Sequence, residues 1–315
     1  MAGTAPPDVS VVIPTRDGGP RLREVLEALR GQDTRRVVEV VAVDSGSRDD
    51  TVSTLRAGGA RVLSVPAPSF DHGLTRNEGI AAARGALVVL LTQDAVPAGA
   101  GWLEALLAPL QDPAVAGVYA RQVPRPEATA LTARNVAAWL AGVDEGRVQS
   151  LAAAGSWEAL APLSRYHLCC FDHVCAALRR AAWERFPYRA APFAEDLEWG
   201  REVIRAGFSL VYEPRAVVLH SHDRSLAYEY RRTYACHRRL YALFGLRTVP
   251  RARDVLRNTL RAGLGDALYA WRHERRLPRR LRALVRAPAA ALLSNLAQWR
   301  GARDEIGGAP APGAV

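Results

Sequence analysis

Residues 86–97 read Ala-Leu-Val-Val-Leu-Leu-Thr-Gln-Asp-Ala-Val-Pro. Ala86–Leu91 is an unbroken apolar run of strand length that stops at a polar Thr-Gln-Asp. A strand apolar on both faces is buried on both faces, the condition of a parallel sheet sandwiched between helices. Just upstream, the Ala-rich segment Thr75–Arg84 reads as a helix stopped by Gly85. Further upstream lie three more short strands: Arg61–Val65, Val37–Val43 ending at Asp44, and Val9–Pro14 (VSVVIP). Between them, Leu22, Val25, Leu26 and Leu29 recur at helical spacing, and Thr51–Ala57 reads as a second helix. Strands alternating with helices predict an α/β fold, a mostly parallel sheet with helices on both faces. Ligands of such sheets bind beyond the carboxyl ends of the strands. Asp44 and Asp94 stand at two of those ends.

Downstream the pattern weakens. Pro124 and Pro126 interrupt it, Thr129–Gly142 and Arg179–Phe186 look helical, and Phe193-Ala-Glu-Asp-Leu-Glu-Trp-Gly opens a helix running to about Ala206. Phe208–Tyr212 returns as a strand, and a separate apolar run, Ala216–Leu219, leads into His220-Ser221-His222. From residue 223 to 300, leucines and tryptophans at helical spacing with arginines between them read as two to four basic amphipathic helices. Residues 306–315 read as a flexible end.

The chain has 315 residues, 49% hydrophobic and 23% charged, which excludes a disordered chain, a collagen repeat and a coiled-coil rod. No apolar run approaches the ~18–20 residues of a membrane-spanning helix, and Met1–Asp8 does not read as a secretory signal. Cys169, Cys170, Cys175 and Cys236 have neither zinc-site spacing nor disulfide density, and read as reduced thiols of a cytoplasmic protein. All 42 basic residues are arginine, and the net charge is +10. Residues 1–222 hold 23 Arg against 25 acids, while residues 223–315 hold 19 Arg against 7, so the whole excess lies in the last third. A basic tail on a near-neutral domain points to an anionic partner for the tail.

No GxGxxG follows the first strand, and there is no Walker A lysine loop, GxSxG elbow or HExxH. Dinucleotide-dependent dehydrogenases, P-loop ATPases, α/β-hydrolases and zinc proteases thereby lose their main support. What remains is a set of acids at strand ends with two histidines far downstream. Asp44 can accept hydrogen bonds from a base or a sugar, or can simply start an Asx-turn. Asp94 suits a divalent cation shared with a diphosphate, or a turn before Pro97. Arg76-Asn77 near a helix start suits a phosphate. Glu195-Asp196 at a helix start fits the helix dipole, or a general base. His220 and His222 alternate at the end of an apolar run, where two imidazoles on one face of a strand suit a metal.

The set VSVVIPTRDG, VVAVDSGSRDDT, TRNEGIAAARG, LVVLLTQDAVP and AEDLEWG, in this order, resembles family 2 glycosyltransferases of the GT-A fold over about residues 8–245. FDHGLTRNEG, LTQDA and LHSH are most similar to the rhamnosyltransferase-like bacterial branch. The resemblance implies a Rossmann-like GT-A domain at 1–245, with a basic helical extension at 246–305 and a tail at 306–315. It implies a nucleotide-sugar pocket lined by Pro14, Thr15, Arg16, Asp44, Arg76, Asn77, Gln93 and Asp94. It implies a divalent cation, Mg2+ or Mn2+, on Asp94 and His220. Asp196 becomes the catalytic base with Glu195 beside it, and Trp199 lies on the acceptor side. Thr92 replaces the first acid of the family's DxD-type motif, leaving one protein carboxylate for the metal.

The reaction expected is inverting transfer of a sugar, L-rhamnose from dTDP-rhamnose in the first instance, to a glycan or lipid-linked hydroxyl in cell-surface polysaccharide synthesis. A UDP-sugar is the alternative donor. A nucleotidyltransferase, or a non-enzymatic module using the Arg-rich tail on nucleic acid, fits less of the motif set. The tail shows no known nucleic-acid motif. Residues 223–305 are expected to hold the protein peripherally on the anionic inner face of the plasma membrane, or else to pack on the domain or form a homodimer.

Overall fold

A computed structural model describes residues 6–310. The strands are β1 (Val9–Thr15), β2 (Val38–Asp44), β3 (Arg61–Ser64), β4 (Leu87–Leu91), β5 (Val96–Pro97), β6 (Val115–Val123), β7 (Arg147–Gln149), β8 (Cys175–Arg179) and β9 (Ser209–Leu219). The helices of the first half are α1 (Gly19–Arg30), α2 (Thr51–Ala57), α3 (His72–Ala82), α4 (Trp102–Leu107), α5 (Ala130–Ala138) and α6 (Leu151–Ala154). Those of the second half are α7 (Pro162–Cys169), α8 (Arg180–Arg185), α9 (Glu195–Arg205), α10 (Leu226–Phe244), α11 (Ala252–His273) and α12 (Leu277–Ile306).

All nine strands form one sheet in the order β3-β2-β1-β4-β8-β6-β9-β5, with β7 also paired to β9. β1 to β4, β6 and β9 run the same way; β8, β5 and β7 are reversed. The alternation along β1 divides the core. Val9, Val11 and Ile13 face one apolar cluster with Trp102, Leu103 and Leu106. Val12 faces the other, with Ile80, Tyr119, Phe171 and Trp199. α3 lies flush on the sheet because Gly79 has no side chain: a Cβ there would stand 2.4 Å from Val12 Cγ1.

The expected strands and helices of residues 9–91 are present, their ends shifted by one to three residues. Two differences lie downstream. The two runs on either side of Pro214 are a single strand, β9. The break between them is a bulge: Ala120 pairs with Glu213 but Arg121 with Val217, so Pro214, which has no N–H to give, stands out of the ladder. The helix expected at Thr129–Gly142 is the shorter α5, capped by the Thr129 side chain.

Three helices follow the sheet domain. α12 packs along both α10 and α11. α10, which the sequence places before the boundary at residue 245, therefore shares a layer with the extension. The expected flexible end is held as far as it is described. Arg238 on α10 donates to the carbonyls of Ala309 and Pro310 and pairs with Glu305; residues 311–315 lie outside the described range.

Candidate active site

The register of the sheet brings the polar strand ends to one edge. Thr15 lies opposite Asp44, and Val123 opposite Leu219. At that edge two clusters form, one around Asp94 and one around Asp196.

The first cluster joins the end of β4 to the residues after β9. His222 Nε2 is 2.9 Å from Asp94 Oδ2, His220 Nε2 is 3.8 Å from Oδ1, and the two imidazole Nε2 atoms are 3.1 Å apart. The polar neighbours fix the tautomer of His220. Gln122 donates from Nε2 to Asp172 Oδ2 at 2.7 Å. Its Oε1 must then face His220 Nδ1, 2.9 Å away, so Nδ1 carries the hydrogen and Nε2 is bare. Burial pushes His220 down to about 4, which keeps it neutral. Burial alone would raise Asp94, but the His222 hydrogen bond and the neighbouring imidazoles hold it below the ordinary carboxylate range. One potential ligand atom from each of Asp94, His220 and His222 lies within 4.8 Å of the others. An ionised carboxylate and a bare imidazole nitrogen aimed at one point fit a divalent cation. His222 stands with them as a further potential ligand, where Thr92 replaces the first acid of the DxD-type motif.

The second cluster lies under the start of α9. Arg76 Nη1 pairs with Glu195 Oε1 at 2.8 Å, both side chains being buried. His173 lies 3.5 Å from the same carboxylate and hydrogen-bonds the Tyr188 hydroxyl at 2.9 Å. Burial pushes His173 down to about 4. Burial would raise Glu195, but the His173 hydrogen bond and the Arg76 charge overcome it and hold the carboxyl low. Asp196 has the opposite fate. Burial, then the Glu195 and Asp172 charges, push it well above the ordinary carboxylate range. Asp172 acts on both clusters, because its charge also reaches His220.

Several candidates are placed differently from expectation. Trp199 is 1% exposed, stacks near Phe171 in the core and donates from Nε1 to the Phe186 carbonyl, so it cannot touch an acceptor. Arg76 faces Glu195 rather than an open phosphate site. Asn77 spends its amide on the backbone of Tyr188 and the Trp183 indole, bracing that loop instead of a donor. Glu195 is paired with Arg76 and held ionised, the opposite of its neighbour Asp196. Asp44 accepts from Thr15 and Ser47 and from the amides of Gly46 and Ser47, bonds that organise the turn after β2. Gln93 is bonded both ways to the backbone of Arg16, tying the β4 end to the β1 end. Pro14 and buried Thr15 floor this edge, and the Arg16 side chain is exposed above it.

Residues absent from the sequence reading also build the site. Arg125 donates to the Asp94 carbonyl and pairs with Glu24 at 3.3 Å. Gln122, Asp172 and His173 complete the two clusters. The doublet Arg121-Gln122 before Pro124 and the Asp172-His173 pair before β8 were the available signals, but the first sits in β6 and the second just ahead of β8, strands the sequence did not reveal. Among the described residues, the non-glycine positions with positive φ are Asp17 at 47° and Ala194 at 61°, one beside each cluster.

A single sheet whose parallel strand ends carry an acid–histidine cluster and a helix-borne acid defines a GT-A glycosyltransferase, and solved structures bear out the fold. The chain is similar to the mannosyltransferase PcManGT of Pyrobaculum calidifontis, solved with GDP-Man and Mn2+ (TM-score 0.55, 21% identity, 99% of this chain and 77% of that one). It is also similar to S. aureus TarS 1–349 (TM-score 0.52, 14% identity, 96% and 92%). Residues 10–186 match the model of glycosyl transferase family 2, and the chain belongs to that family. It is a glycosyltransferase, and two of its curated relatives are named as rhamnosyltransferases. It is 27% identical over 242 residues to the O-antigen chain rhamnosyltransferase RfbN of Salmonella typhimurium, spanning 72% of this chain and 70% of that one. It is 29% identical over 235 residues to WbaN of Salmonella anatum, with the same coverage.

Proposed function

We propose that the protein transfers a deoxysugar, L-rhamnose from dTDP-L-rhamnose, to a hydroxyl of a glycan or lipid-linked acceptor in cell-surface polysaccharide synthesis, inverting the anomeric configuration. The observation that carries the mechanism is Asp196. Among the described residues it is the carboxyl whose surroundings raise its proton affinity, and it stands at the strand-end edge where a donor would lie. A raised pKa makes a stronger base once the carboxyl is ionised. Asp196 accepts the acceptor's proton, and the oxygen so activated attacks the anomeric carbon opposite the diphosphate. The sugar–phosphate bond breaks, and its electron pair leaves with the diphosphate. The reading assigns no side chain the role of covalent nucleophile, which is why it implies inversion.

Asp94, His220 and His222 would hold the divalent cation, and Arg125 places positive charge beside Asp94. When bound, the cation supplies charge neutralisation for the leaving diphosphate. Two imidazoles and one carboxylate suit Mn2+ better than Mg2+, which prefers oxygen ligands. The donor assignment draws on the names of RfbN and WbaN. Release of dTDP from dTDP-L-rhamnose in the presence of an acceptor, greater with Mn2+ than with Mg2+, is the expected result. The product's anomeric coupling by NMR should show inversion. Turnover of UDP-sugars alone would reassign the donor, and retention would remove Asp196 from the base role.

A further inference from the structure

Helix α11 is packed inside out. Its inward residues are small: Gly263, Ala267 and Ala270, with Val255. Its leucines face solvent: Leu256 is 64% exposed, Leu260 65%, Leu264 64% and Leu268 47%, with Trp271 beyond them. A helix that packs on a protein normally turns its large apolar residues inward. The close approach of α12 explains the small residues, since a Cβ on Gly263 would stand 3.0 Å from Pro288 Cα. It does not explain the ridge of leucines. α12 repeats the inversion, burying Ala287 and Ala291 while exposing Leu277, Leu281, Leu284 and Val285.

The charges beside these residues are of one sign. Arg253, Arg257, Arg261 and Arg272 of α11, and Arg282 and Arg286 of α12, are exposed. The acids between residues 251 and 286 are Asp254, Asp266 and Glu274. Asp254 and Glu274 are buried, Asp254 pairing with Arg257 at 3.3 Å, and Asp266 pairs with Arg134 at 2.6 Å, so arginine remains in excess on this face. No helix of the described residues is long and apolar enough to cross a membrane.

We propose that this outer face of α11 and the first half of α12 docks on an anionic lipid surface, with the leucines and Trp271 in the headgroup–acyl boundary and the arginines on lipid phosphates. An apolar ridge flanked by an excess of exposed arginines matches such an interface in both components. A second copy of this chain matches it poorly, because self-pairing of the face would oppose arginine to arginine. The surface is also coupled to the site edge. The turn after α11 binds the 125–130 loop, where Arg279 donates to the Glu127 carbonyl, and the same loop carries Arg125 to Asp94. A bilayer here would present lipid-linked molecules beside the site, yet the docking stands on the helix surface alone and not on the donor or acceptor assignment.

Co-sedimentation of the full chain with vesicles tests it. Vesicles of phosphatidylcholine containing phosphatidylglycerol should bind the protein, and pure phosphatidylcholine vesicles should not; salt should weaken the binding. Replacing Arg253, Arg261 and Arg272 by Gln should lower partitioning on the order of a hundredfold. Leu256→Gln with Leu260→Gln and Leu264→Gln should abolish it. These residues are exposed, so circular dichroism and melting should be unchanged in both variants. Equal binding to the two vesicle types, or none, overturns the proposal. So does a dimer in sedimentation velocity that the leucine substitutions dissociate.

Discussion

Asp94 and Asp196 sit at the same edge of one sheet and carry the same carboxyl group, yet their surroundings drive them apart. Asp94 faces two imidazoles, one of them 2.9 Å away, and is held ionised. Asp196 faces two other carboxylates, Glu195 and Asp172, from a buried position, and is pushed up. The Arg76 charge next door is already committed to Glu195 at 2.8 Å and does little for Asp196. Two acids are thus divided into a cation holder and a proton acceptor by their neighbours, not by their chemistry. The division is also one of openness. The Asp94 cluster keeps a bare nitrogen for a ligand, whereas in the second cluster the Glu195 carboxylate is taken up by Arg76 and the His173 ring by Tyr188.

The comparison breaks most sharply at Asp196. Asp196→Asn keeps the shape and removes the base, so kcat should fall by about 10²–10⁴-fold while nucleotide binding by calorimetry stays near normal. The wild-type kcat/KM should fall on the acid side at a pH above the ordinary carboxylate value, because the base must be ionised. Stability should move the other way. A carboxyl raised in the folded state favours folding at low pH, and that contribution is lost as pH rises through the folded pKa. The Asn variant should therefore melt higher than wild type above that pKa, the difference closing as the pH falls. Near-normal turnover, or no pH dependence of the melting difference, would dissolve the contrast between the two acids.

The closed cluster is tested next. Arg76→Met leaves Glu195 buried without its counter-charge, and removing one partner of a buried pair costs about 3–5 kcal/mol. Denaturant unfolding should report that loss. If Arg76 instead served an open phosphate site, nucleotide affinity would fall with little change in stability.

The open cluster depends on Gln122. Gln122→Leu removes the acceptor that fixes the His220 tautomer, and loss of such an outer partner lowers metal affinity by about 10–100-fold. Mn2+ titration followed by electron paramagnetic resonance reads this without turnover. An unchanged titration would mean that His222 and Asp94 hold the ion without an oriented His220.

What the sequence revealed follows from the same division. The parallel half was legible because β1, β2 and β4 are apolar on both faces and end at polar residues, and the acids at those ends mark the edge. β6 and β8 were hidden because the sheet continues through β8, a reversed strand inserted between β4 and β6, and with them went Gln122, Asp172 and His173, whose roles need cross-strand neighbours. Trp199 was misplaced although its helix could have corrected it: Trp199, Gly200, Val203 and Ile204 repeat at the spacing of one buried face, which makes Trp199 a core residue. Arg76 and Asn77 lie on a helix whose partners, Glu195 and Tyr188, are more than a hundred residues away.

The smallest effect is expected at Ala194, the residue that caps α9 just ahead of both acids. Its φ of 61° is left-handed, a conformation that costs a residue with a Cβ about 1–2 kcal/mol. Glycine would relieve that strain, but it adds freedom to the unfolded chain worth about 0.5–1 kcal/mol. The two effects nearly cancel, so Ala194→Gly should stabilise by about 1 kcal/mol or less. The consequence for activity runs against stability. Glycine ranges over more of backbone space than alanine, so a hinge at 194 would let the first turn of α9 and Asp196 sample other directions. A small fall in kcat with unchanged KM and unchanged Mn2+ affinity is the expected result. Unchanged kcat with higher stability would mean that the packing of Leu197 and Trp199, rather than the strained cap, sets the direction of the base.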